Sequence, residues 1–92
     1  MANYSARLAK HATTGINVSD TITLIQDAMS VEVVNRSTNE LYVRTDGAIP
    51  TVAGDDCEVL PSGASLLLPT PQSTTVVSVI SAAASNYSVV VR

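Results

Sequence analysis

The sequence contains no tryptophan and no phenylalanine, and tyrosine supplies its only three aromatic side chains. A core must therefore be built from thin aliphatic residues, which suits two closely packed sheets and leaves little material for a deep ligand pocket. There is one cysteine, Cys57. It excludes an intrachain disulfide and any multi-cysteine metal site. The four glycines, Gly15, Gly47, Gly54 and Gly63, are isolated from one another, so no phosphate-cradling loop exists. No apolar run approaches membrane-spanning length, and residues 1–19 lack the apolar stretch of a secretory leader. The expected setting of synthesis is a cytoplasm, with no membrane partner. Four Asn-X-Ser triplets, beginning at Asn3, Asn17, Asn35 and Asn86, then reflect only how common Asn and Ser are here.

What is present is β-forming. Val, Ile and Thr supply 28 of the 92 residues, and their branched side chains lose least on a pleated surface. A chain of this length is one domain near the lower end of what folds without staples. Period-two alternation and turn residues predict seven short strands: Asp20–Ile25, Ser30–Asn35, Leu41–Thr45, Cys57–Leu60, Ala64–Leu68, Thr74–Ala82 and Tyr87–Arg92. Gln26–Met29, Asp46-Gly47 and Pro61-Ser62-Gly63 read as turns, and Pro69 and Pro71 close the fifth strand. A helix over Val76–Ala84 competes with the sixth strand, but Thr74-Thr75-Val76-Val77 is a poor helix former. The fold class expected is all-β, a small antiparallel β-sandwich or barrel of about seven strands.

Two hairpin registers follow from five-residue loops. The loop Arg36–Glu40 would oppose Val33 to Val43 and Glu32 to Arg44, turning Val31 and Val33 inward. The loop Ala82–Asn86 would oppose Val79 to Val89 and Val77 to Val91. Residues 1–19 have weak periodicity and read as an extended N-terminal arm preceding a sandwich domain of residues 20–92.

The formal charge of −3 is unevenly spread. Residues 1–19 carry Arg7 and Lys10 and no acid, whereas all eight acids lie in residues 20–92. Two side-chain cations are too few for a nucleic-acid arm. The sole histidine, His11, sits in this segment, far in sequence from Cys57 and every acid cluster. A nucleophile–base pair needs a base held by a rigid scaffold, so no enzyme is expected. Asp46, Asp55 and Asp56 flank the loop Ala48–Ala53 and invite a hard cation at its neck. Three carboxylates fall short of a full oxygen shell, and the turn preference of Asp and Gly explains them without metal. No cofactor is expected. Tyr42 and Tyr87 read as outer-face or edge residues covering aliphatic side chains.

The stretches Val31–Arg36, Leu41–Gly47, Pro50–Asp56, Val59–Gly63, Val79–Ser81 and Tyr87–Val89, with the opening Met1–Arg7, together resemble small virion-associated proteins of tailed bacteriophages of actinobacterial hosts. The resemblance spans nearly the whole chain and includes no catalytic motif. It implies a structural virion protein, foremost a capsid decoration (cement) protein gripping the outer face of the assembled head. Its partner would be the major capsid protein, and copies would associate with one another, a trimer being favoured over a dimer. A tail-tube, collar or connector component is the alternative within that class, and a host-surface or glycan-binding module the alternative outside it. The interface expected under this reading combines Tyr4, Arg7, Leu8, Lys10 and His11 of the arm with Asp46, Asp55 and Asp56 of the acidic loop.

Overall fold

The computed structural model describes residues 2–24, 30–69 and 75–92. The turn expected at Gln26–Met29, and the expected strand ends at Ile25 and Thr74 with the stop at Pro71, lie outside those residues. Nine strands are described: β1 (Ala2–Ala6), β2 (Ala9–Thr13), β3 (Asp20–Leu24), β4 (Ser30–Asn35), β5 (Leu41–Arg44), β6 (Glu58–Leu60), β7 (Ser65–Pro69), β8 (Thr75–Ile80) and β9 (Asn86–Val91). They form two sheets, ordered β1-β3-β8-β5-β6 and β2-β9-β4-β7. The last seven strands match the seven read from alternation, to within two residues at each described end.

The pairing is nested. β2 pairs with β9, β3 with β8, β4 with β7 and β5 with β6, all antiparallel. These four pairs alternate between the two sheets. The chain is thus one long two-stranded ribbon, doubled back at the β5–β6 loop and wound so that successive segments face each other. Pairing of β9 with β4 and of β8 with β5 joins the turns of the winding. β1 adds to the edge as a parallel partner of β3, with Tyr4 opposite Ile22.

This topology corrects two expectations. Residues 2–13 are not an arm lying off the body: β1 and β2 are edge strands of the two sheets, and Val91 N–H donates to the Leu8 carbonyl at 2.8 Å. The alternation there is weak because Ala2, Ala6, Lys10 and Ala12 occupy the inward positions that Val and Ile hold elsewhere. Both predicted hairpins are also replaced by sheet-to-sheet corners. Val33 lies opposite Val89 and Leu66, and Val79 opposite Asp20 and Val43. Glu32 pairs with Arg92, not Arg44. Alternation sets which side chains share a face; it is indifferent to which sheet the next strand joins.

The inward face is as read: Val31 and Val33 are fully buried, together with Ile22, Leu24, Leu41, Val43, Val77, Val79, Tyr87 and Val89. Two polar corners fix the crossings. Asn35, 1% exposed, donates through Nδ2 to the carbonyls of Asn39 (2.6 Å), Leu60 (3.0 Å) and Pro61 (3.1 Å). Its Oδ1 accepts from Ser37 N–H and hydroxyl. The β4–β5 and β6–β7 connections are thereby tied together. At the other corner Ser85 Oγ donates to Ser81 Oγ, and Ser81 Oγ to the Glu40 carbonyl, each at 2.9 Å. Thr14 exchanges backbone and side-chain bonds with Ser85. These contacts hold Ala82–Ala84 as a corner where the alanines alone favour helix. Gly63 sits at φ +73° in the turn closed by Ala64 N–H and the Pro61 carbonyl, a conformation that glycine adopts without strain.

Candidate functional site

The interior is packed with aliphatic side chains and Tyr87, so the surfaces carry whatever this molecule recognises. The residues expected to act together are separated by the topology. β1 is one edge of its five-stranded sheet and β6 the other. At about 4.8 Å per strand, the two edges stand roughly 19 Å apart.

The first edge carries the basic residues. Arg7 and Leu8 form the exposed link from β1 to β2. Tyr4 points inward from β1 and packs against the core, with the Lys10 ammonium 4.4 Å above its ring. Beside them, Tyr87 is fully buried. This corrects its assignment to an outer face: its hydroxyl donates to Asp20 Oδ2 at 2.7 Å between the sheets. Burial, then the Asp20 carboxylate, pushes the Tyr87 phenol well above its ordinary value. Tyr42 does lie on the outer face, opposite Ile80 and Val59, and its hydroxyl reaches Glu40.

The second edge is acidic. Asp46, Asp55, Asp56 and Glu58 lie on or beside the β5–β6 loop, the tip of the ribbon. Val43, Arg44, Thr45, Asp46, Asp56 and Glu58 line a cleft of about 170 Å³. Asp46 is already committed, pairing with the Arg44 guanidinium and accepting from Ala48 N–H at 3.2 Å. The Arg44 bond, then the Ala48 bond, draw the Asp46 carboxyl down to about 2. A cation at this neck would compete with Arg44. Among the described residues no group of three or more potential ligands converges.

His11 lies on the outer face of β2, opposite Ser88 of β9. Its Nδ1 is 2.7 Å from Ser88 Oγ, and Arg36 Nε donates to the same oxygen at 2.8 Å. Ser88 and Arg36 escaped the sequence reading. Strand alternation puts Ser88 on the outer face, but only the β2–β9 and β4–β9 registers bring His11 and Arg36 to it. Arg92 with Glu32 forms a further ion pair on this face.

No protein-family model matches the chain, and no curated protein matches it in sequence. Its fold is similar to several solved structures. A de novo designed double-stranded β-helix aligns with TM-score 0.65 at 10% identity, covering 91% of this chain and 97% of that one. PirA aligns with TM-score 0.64 at 12% identity, covering 95% of each. PliG of Aeromonas hydrophila, a periplasmic inhibitor of g-type lysozyme, aligns with TM-score 0.54 at 13% identity over 99% of this chain and 100% of that one. At such identities the likeness shows the fold: a double-stranded β-helix, as the nested pairing requires.

Proposed function

We propose that this protein is a non-catalytic docking module that binds other protein surfaces, and that its setting is the outside of an assembled tailed-phage head, where it acts as a decoration protein. The observation that supports docking is the separation of charge onto opposite edges. Residues 2–13 contribute Arg7 and Lys10 with no acid, while residues 44–58 contribute Asp46, Asp55, Asp56 and Glu58 against Arg44 alone. A two-fold dimer built through either edge sets like charge against like, whereas a head-to-tail contact sets basic against acidic and forms a ring when the rotation between copies closes. That favours a ring such as a trimer, repeated over a shell around the major capsid protein. Docking also stabilises a small domain, because a partner that binds only the folded form shifts the folding equilibrium. The setting itself rests on the resemblance of the sequence to virion-associated proteins.

The test is location and copy number in purified particles. Hundreds of copies on the head surface are expected for decoration. A few copies, or rings of about six along a tube, replace it with the tail or connector role; absence from particles overturns both. A host-glycan module is disfavoured by the tyrosines, since Tyr87 is buried, Tyr42 is 9% exposed and Tyr4 is turned inward beneath Lys10.

A further inference from the structure

Ser88 is 4% exposed on the outward-facing side of β9, and its hydroxyl is the junction of two side chains from other strands. A guanidinium can only donate, so Ser88 Oγ accepts from Arg36 Nε. The hydroxyl has one proton to place, and His11 Nδ1 is the partner it has besides Arg36 among the described residues. A proton left without an acceptor at so buried an oxygen would be costly. Ser88 therefore donates to His11 Nδ1, and the neutral imidazole must carry its own proton on Nε2. The tautomer is dictated by the arginine one bond away.

The consequence is that Arg36 and His11 themselves turn only donors to solvent. Arg36 has five N–H groups. One reaches Ser88, and one on Nη2 makes a long contact of 3.5 Å to the Tyr87 carbonyl. The other three have no acceptor among the described residues, and His11 Nε2–H has none either. Of the other arginines, Arg44 is neutralised by Asp46 and Arg92 by Glu32. Arg36 has no carboxylate partner among the described residues, and Glu32, the acid on the same face of β4, is committed to Arg92.

We propose that Arg36 and His11, held by Ser88, form a binding site for an oxyanion, a carboxylate or a phosphate group. An acceptor-only ligand complements either donor, and the planar guanidinium matches the geometry of two oxygens on one atom. Ser88 is a positioning residue, setting the ring tautomer and the guanidinium angle without touching the ligand. The inference does not depend on the virion setting. If the protein docks on protein surfaces, the carboxylate would come from a partner Asp or Glu; a phosphate-bearing ligand is the other source of the same chemistry.

His11 is the sole histidine, so its ring is observed without ambiguity by nitrogen-edited NMR at neutral pH. The wild-type spectrum is expected to show the Nε2–H tautomer. Titration with inorganic phosphate, and separately with acetate, at ionic strength held constant with sodium chloride, is expected to shift the ring signals saturably. Arg36→Gln should weaken that response at least tenfold, and Arg36→Lys, which keeps the charge without the fork, should fall between. Ser88→Ala should release the tautomer while leaving the amide spectrum of the sheets in place. Phosphate binding tighter than acetate points to a phosphate ligand, and the reverse to a side-chain carboxylate. An Nδ1–H tautomer in the wild type, no saturable shift with either anion, or an equal shift in folded Arg36→Gln and Arg36→Lys each overturns the site.

Discussion

Tyr87 and Asp20 are 67 positions apart and meet between the sheets, the phenol donating to the carboxylate at 2.7 Å. Tyr87 is fully buried and Asp20 is 2% exposed. Tyr87 belongs to the β2–β9–β4 sheet and Asp20 to the facing one. The bond therefore spans the sandwich, in a core otherwise built from aliphatic side chains.

Tyr87→Phe is expected to destabilise the protein by about 2 kcal/mol, because it leaves a buried carboxylate without its donor. Urea denaturation at pH 7 measures this. A midpoint equal to the wild type would mean that water already serves Asp20.

The same phenol makes stability fall in alkali. Its folded-state value is raised above the ordinary 10.0 of a phenol, so the unfolded chain loses the proton first. The Tyr87 contribution is intact below pH 10 and declines as pH rises further. Denaturation midpoints taken from pH 8 upward should fall less steeply in Tyr87→Phe; parallel slopes would refute the assignment.

On the acid side Asp46 behaves oppositely. Its folded value of about 2 lies below the ordinary 3.8, so its contribution is present above that ordinary value and is lost as pH falls through about 2. Asp46→Asn should lower the denaturation midpoint slightly at pH 6, with the gap closing by pH 2 and shrinking in high salt. A gap that persists at pH 2 would assign the effect to the loop backbone.

Asn35→Ala should cost about 3 kcal/mol or more, since three carbonyls lose one amide and Ser37 loses its acceptor at a buried corner. Asn35→Asp keeps the acceptor and removes the donor, and should be no milder. Thermal and urea unfolding report both; a tolerated Asp would show that the carbonyls find other partners.

Leu24→Ala and Leu67→Ser test which face is the core. Leu24 is fully buried and its truncation should cost about 2–5 kcal/mol. Leu67 is 59% exposed, and its replacement should stay within about 0.5 kcal/mol. Comparable losses would indicate that the face of β7 is covered by a partner in solution.

Removing residues 2–13 strips an edge strand from each sheet and uncovers Tyr87 and Ile22, their register neighbours. The truncated chain should lose cooperative unfolding. A cooperatively folding remainder would mean that these strands are appendages after all.

The sequence by itself determined the class and the inward face. Branched residues at period two make Ser30–Asn35 and Asn86–Val91 strands, and only one face of each can be buried without exposing Val33 or Val89. It also separated the basic opening from the acidic loop. Which strands become neighbours was decided by tertiary structure alone, because a five-residue loop permits either a hairpin or a corner. Asn35, Ser81 and Ser85 select the corner by satisfying carbonyls and hydroxyls from distant loops. The same winding draws the weakly patterned residues 2–13 into both sheets and turns Tyr87 inward to Asp20. It also brings His11 and Arg36 to one serine, a meeting that no spacing along the chain records.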